Sequence, residues 1–381
     1  MFFHVLKNEL KYQFKNITFY IMAILLVAFC MTQMELPSKN ETLLSKEELF
    51  GNIASSEEES FHRIKNSAMQ SLSIVINSKE VGTYDFGFIR YYKFEDDQIK
   101  VLEEFKGQLE ASTTIDEIEK IYGEIDEFIG KKTGIFSSEK IREARESALT
   151  DEEAEKKIAE LKEKEKISGT YGRLYADYMG IAFAILPVFL SAFVIVRDKK
   201  SKMEEIIYSK RISSAAYIGG KYMAVVLSVF IVLMAITAYV TMIFYRNAVF
   251  NGYEFNIFGF FKYAITWLMP TVIFVTAFSL AFSIIFDSSL VPVIVQIIIW
   301  AGSIVTSPLL SEFRLYNLVI RFNVVGSYDY YMRNINNLII NRVFFTVLGL
   351  AFLALAIFAY NKVRGNMNGR RILLQFKNIR K

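Results

Sequence analysis

The sequence predicts a mainly α-helical membrane protein. Its expected parts are six transmembrane helices, an N-terminal interfacial helix and a large, largely helical extracellular domain. Hydropathy is the first reason. Apolar residues make up 53% of the 381 and mean hydropathy is +0.28. That excess sits in six runs long enough to cross a hydrocarbon core roughly 30 Å thick. They are 17–34 (TM1), 177–196 (TM2), 222–245 (TM3), 262–286 (TM4), 289–307 (TM5) and 342–361 (TM6). Charge is the second reason. Residues 35–176 hold 31 of the 40 acidic residues and 21 of the 44 basic ones, a net of −10, while the rest of the chain carries +14.

The basic residues set the expected topology, because Lys and Arg near span ends favour the cytoplasmic side. A cytoplasmic N-terminus places 17 of them inside, among them Lys7, Lys11, Lys15, Arg197, Lys199, Lys221 and Arg364. Only six fall in short outer loops: Arg246, Lys262, Arg314, Arg321, Arg333 and Arg342. Both termini are then cytoplasmic and 35–176 is outside.

The expected interfacial helix, residues 1–16, and the residue after it place Phe3, Leu6, Leu10, Phe14 and Ile17 at helical spacing, beside a row of Lys7, Lys11 and Lys15. The pattern predicts an amphipathic helix in the inner interface, with lysines near anionic headgroups of membrane lipid. It is too long and amphipathic for the start of a cleaved signal peptide, and no small-x-small site follows. The single cysteine, Cys30, excludes an internal disulfide.

In the outer domain, "TIDEIEKIYGEIDEFIG" opens with a capping box, Thr114 and Glu117, and ends at Gly130, a helix-ending residue. "SEKIREARESAL" follows, and a second box, Thr150 and Glu153, starts another helix rich in Glu–Lys pairs. "SLSIVINS" and "YDFGFIRYYKF" are compatible with strands or with short helices. Residues 308–341 are too polar to span and predict short helices at the outer surface. "DSS" at Asp287–Ser289 predicts a tight hairpin of spans, and 362–381 a basic cytoplasmic tail. Pro187, Pro270, Pro292 and Gln296 are the irregularities within the spans.

Several chemistries are excluded. A phosphate-binding loop needs G-x-x-x-x-G-K-[ST]. Between Gly123 and Gly130 there are six residues, and Lys132 intrudes before Thr133. The only histidines, His4 and His62, have no partner at ligand spacing, so no metal is expected. Ion-coupled carriers bury ionisable groups within their spans, and none lies deep in these six. The chain predicts no enzyme, no cofactor of its own and no nucleic-acid partner.

The segment 197–221, "RDKKSKMEEIIYSKRISSAAYIGGK", is a polar stretch between two apolar spans. Met203, Ile206, Ile207 and Lys210 fall on one side of a short helix, which can dock on a partner. Here the order of elements resembles the permease subunits of ABC-2 type exporters. In that family the segment reads E-x-x-x-G-[x]-x-E-x-L-x-x-x-P-x-x-R-x-x-x-x-x-K and holds the coupling helix that inserts into an ATPase subunit. Glu204 and Glu205 match the acidic positions, Ile206 and Ile207 the apolar pair, and Lys221 the final lysine. The family's glycine and proline have no counterpart near Ser201–Lys202 and Ile212–Ser213. The resemblance implies an ATPase contact through Met203, Glu204, Glu205, Ile206, Ile207, Tyr208, Lys210, Arg211 and Lys221. It also implies ATP and Mg on that partner and pairing with a second permease copy or a paralogue. The size of 35–176 is similar to that of the efflux-type members. Many Ile, Lys and Asn with few Pro fit an AT-rich bacterial genome. The competing reading is a membrane-anchored receptor, immunity or signalling protein acting through its outer domain.

Overall fold

The computed structural model describes residues 1–51, 53–85, 88–129, 135–136, 140–141, 144–145, 147–201, 212–305, 315–321, 325–326 and 328–379. Helix α1 (Phe2–Gln13) meets α2 (Ile17–Gln33) at a bend of 68°. Asn16 makes the corner: its extended backbone stops α1, and its side chain accepts from the Thr18 N–H to start α2.

A separate helical unit follows. It comprises α3 (Glu57–Ser78), an antiparallel hairpin of β1 (Glu80–Asp85) and β2 (Phe88–Lys93), α4 (Asp96–Ala111) and α5 (Ile115–Phe128). "SLSIVINS" is therefore the end of α3, and Lys79, with φ +53, turns the chain into the hairpin. The capping box at Thr114 and Glu117 forms as expected. Gly130 and five of the twelve residues of "SEKIREARESAL" lie outside the described residues. The unit has its own core, built from Ile64, Leu72, Leu102, Leu109, Ile118 and Ile125. Its ends meet: Ala54 N–H donates to Leu149 O at 2.8 Å, and Ala54 bridges Thr150.

From Thr150, whose capping box with Glu153 also forms, one rod runs to Lys200. It contains α6 (Asp151–Glu160), a π turn (Leu161–Glu165), α7 (Lys166–Phe183), α8 (Val188–Ser191) and α9 (Phe193–Lys200). The expected boundary at 176/177 is thus inside a helix. Next come α10 (Ser214–Asn251), α11 (Phe258–Tyr263), a second π turn (Ala264–Leu268), α12 (Met269–Ile285), α13 (Leu290–Val305) and α14 (Tyr328–Ile379). Two further expectations need correction. Residues 214–221, expected in the surface segment, are the first turns of α10, N-capped by Ser213. Residues 328–341 and 362–379, expected as separate short helices and a tail, are the two ends of α14.

Among the described residues, four helices are long and apolar enough to cross a membrane: those within 151–200, 214–251, 258–285 and 331–365. The bent α1–α2 pair passes the same test as a unit, and α13 is a shorter apolar helix.

Proline explains one break. Pro187 has no N–H to donate, and the backbone between Phe183 and Val188 turns irregularly. The Val188 N–H shifts to Ile185 O. Gln296 Nε2 then donates to Ala184 O at 2.7 Å, and Trp300 Nε1 to Ile181 O at 2.9 Å. Both donors stand on α13, so the polar residue in an apolar helix caps a neighbour's backbone. Helices α12 and α14 pack tightly at Gly349. A Cβ there would lie 3.0 Å from the Phe274 backbone N.

Candidate functional site

The site lies where α1, the end of α9 and the start of α10 converge. On α1 the residues that face protein are Phe2, Val5, Glu9 and Gln13, at steps of three and four. They seat on Gly219 and Gly220 of α10. A Cβ on Gly220 would lie 3.0 Å from Val5 Cβ and 3.2 Å from Phe2 O, so only glycine admits α1 at this distance.

Close packing brings Glu9, 5% exposed, against two cations. Arg197 grips it with both ends of its fork, NH1 to Oε1 at 3.0 Å and NH2 to Oε2 at 2.7 Å. Lys221 Nζ donates to Oε2 at 2.9 Å, and Gln13 Nε2 to Oε1 at 3.0 Å. Asp198 completes the square, 2.7 Å from Lys221 Nζ and 3.4 Å from Arg197 NH2, and it accepts from the Tyr217 hydroxyl. Two carboxylates face two cations, so the group is neutral overall. Glu9 and Lys221 are buried and Arg197 and Asp198 half-buried, and that balance is what makes their burial tolerable, since an unpaired buried charge costs several kcal/mol.

Neighbours extend the group. The Arg197 guanidinium lies 3.6 Å from the centre of the Tyr12 ring. Tyr217 stacks on Tyr360 of α14 at 5.0 Å. Ser214 Oγ donates to Asn361 Oδ1 at 3.0 Å, and Arg364 donates to Ile212 O. Lys199 reaches Asp287, in the α12–α13 turn, at 2.5 Å. Helices α1 and α14 and the α12–α13 turn are therefore tied to the two stems that flank residues 202–211.

Met203, Glu204, Glu205, Ile206, Ile207, Tyr208, Lys210 and Arg211, the expected ATPase contacts, all lie outside the described residues. Lys221, grouped with them in sequence, is 4% exposed and held by Glu9 and Asp198. Its charge is used inside the chain, which corrects its assignment to a surface contact. The α1 expectations divide. Lys7, Lys11 and Lys15 are exposed, as are Phe3 and Phe14, while Leu6 and Leu10 are half-buried. The protein-facing stripe is a different one, adjacent to the apolar stripe. Sequence reading missed Glu9, Arg197, Asp198 and Tyr217 as a group. One signal was present: Glu9 is the only acidic residue among the first 34, at helical spacing from apolar positions.

The opposite end of the bundle also holds buried charge. Glu165 pairs with Arg173 at 3.1 Å, the two side chains 4% and 2% exposed. Asp177 pairs with Arg321 at 3.3 Å. Arg342 is buried there too. Among the described residues, no group of three or more His, Cys, Asp or Glu could hold a metal ion.

A family model described as ABC-2 family transporter protein matches residues 41–360. No curated protein and no solved structure matches the chain. A match over most of the chain, on a bundle of membrane-length helices, shows that this chain belongs to the ABC-2 family of transporter proteins.

Proposed function

We propose that this chain is the permease subunit of an ATP-driven exporter, and that residues 202–211 form its contact with a separate ATPase subunit. ATP and Mg would bind on that subunit. A second permease, identical or paralogous, would complete the membrane pathway. In this reading both termini and 202–211 are cytoplasmic, and the unit after α2 is extracellular. The bent α1–α2 pair and α13 bring the spans to six; α13 is about 24 Å long at 1.5 Å per residue.

One observation carries the reading: the buried square of Glu9, Asp198, Arg197 and Lys221. A lever needs rigid stems. Arg197 and Asp198 lie just before the segment, and Tyr217 and Lys221 just after it. Glu9 joins both stems to α1, so a force on 202–211 passes into three helices at once. Met203, Ile206 and Ile207 would supply the apolar contact and Glu204 and Glu205 the charged one. A coupling role requires only that ATPase closure favour one of two arrangements of these stems.

The test is co-purification. The chain is expressed with candidate ATPase subunits, and an ATPase is expected to co-elute. The quadruple variant Glu204→Arg, Glu205→Arg, Ile206→Ala, Ile207→Ala is expected to lose it while keeping its own elution volume. An ATPase that binds the variant equally well would remove the contact from 202–211. No bound ATPase at all would move attention to the acidic outer unit as a receptor or immunity module.

A further inference from the structure

At the end of the bundle away from the charge square, α12 and α14 part and leave a groove of about 430 Å³. One wall is a stripe of α14: Tyr331, Ile335, Ile339, Val343 and Val347, spaced four residues apart. The other wall is the π turn and its neighbours, with Ile265, Trp267 and Pro270. The stripe opens sideways, with Ile339 52%, Val343 55% and Val347 59% exposed.

Its charge is one-sided. Lys262 and Arg342 line the groove and, among the described residues, no acidic residue does. Lys262 is exposed, and it forms no ion pair among the described residues. Arg342 crosses the floor, 7% exposed. Its donors go to Trp267 O at 3.0 Å, Thr271 Oγ1 at 2.8 Å, Leu318 O at 3.1 Å and Asn341 Oδ1 at 2.9 Å. Every acceptor is neutral. The guanidinium's hydrogen bonds are satisfied, but among the described residues no carboxylate pairs with its charge. Asp177, which lines a small cavity beside it, is engaged by Arg321.

The order of groups along the groove is informative. Lys262 and Tyr331 stand at the bundle end. Val343 and Val347 lie about 18–24 Å of helix further in, at 1.5 Å per residue. A cation at the surface end, with apolar walls that run inward over the hydrogen-bonded Arg342 on the floor, matches one bilayer lipid: an anionic head and an acyl chain. A second copy of this chain would have to bring an acidic group to the same place.

We propose that this groove holds one anionic phospholipid of the bilayer, with its phosphate at Lys262, in the field of Arg342. The acyl chain lies along Ile335, Ile339, Val343 and Val347. The occupant stiffens the junction between the π turn and α14, and binding is independent of the ATPase contact at the other end.

The full-length protein, purified in detergent, is titrated with dioleoyl phosphatidylglycerol or dioleoyl phosphatidylcholine and followed by native mass spectrometry. One phosphatidylglycerol per chain is expected to survive conditions that strip phosphatidylcholine. Lys262→Gln should weaken retention about fivefold, the scale of one lysine near an anionic headgroup. Ile339→Trp, at a position half exposed, should fill the groove and abolish retention without changing thermal stability. Equal retention of the two lipids, or retention unchanged in Ile339→Trp, would overturn the proposal. So would an Ile339→Cys variant that forms a disulfide-linked pair of chains whichever lipid is present, which would assign the face to a second copy.

Discussion

Glu9 shows how one residue can set the character of an element. A helix with Lys7, Lys11 and Lys15 on one side and Phe3, Leu6, Leu10 and Phe14 on another reads as membrane-bound. The single carboxylate adds a third face, aimed at Arg197 and Lys221. Removing it leaves Lys221 with Asp198 alone in a buried site. Glu9→Ala is expected to cost about 3 kcal/mol, the lower range for breaking a buried pair. Lys221→Met removes the partner. Unfolding of the two single variants and the double variant should show a coupling above about 1 kcal/mol. Losses that simply add would mean that the two side chains do not depend on one another.

Elements here are defined by their ends. Helix α3 begins at Ser56, which caps the Glu59 N–H, and Glu59 returns the bond to Ser55 N–H at 2.8 Å. The Ser55 hydroxyl and backbone, with Arg63, hold the Glu59 carboxyl down at about 2, below its ordinary 4.5. A carboxyl depressed in the folded state stabilises it above the ordinary value, and the contribution is lost as pH falls through the folded one. Amide exchange in the first turn of α3 should therefore be slower than in Glu59→Gln at pH 5. The difference should close as pH approaches about 2. A difference that stays constant across that window would assign the effect to packing. The π turn at Ala264–Leu268 is another defining feature, and its Trp267 carbonyl accepts from Arg342.

For the whole molecule, the unit after α2 is an insertion whose two ends touch at Ala54 and Leu149. Its core shares no residue with the core around α2, α7, α10 and α12. Loop closure across so short a gap costs little. Replacing residues 55–149 by a short Gly-Ser linker is expected to leave a monodisperse, helical membrane core with its thermal transition shifted by only a few degrees. Aggregation of the shortened chain would show that the unit supports the bundle. Of the most apolar 18-residue window within 331–365 of α14, only 22% is buried within the chain. An apolar face left open to that extent is the kind that lies against lipid or another protein.

What the sequence by itself determined is whatever depends on local order. Apolar runs gave helices where they were expected, because a run of about 20 apolar residues can hide its backbone in lipid only as a helix. The Thr114 and Thr150 capping boxes are four-residue patterns and were legible for the same reason. The family was legible through the order of long segments. Pairing over distance was left to the tertiary structure. Glu9 and Lys221 are separated by 212 positions, and nothing near either one announces the other. Gln296 looks like a flaw in an apolar helix until Pro187 on another helix is seen to free the carbonyl it caps. Lys221 belongs in sequence to a polar surface stretch and in space to a buried square. Its place was decided by the glycine step that lets α1 close over it, because burial of a charge depends on which opposite charges the fold delivers.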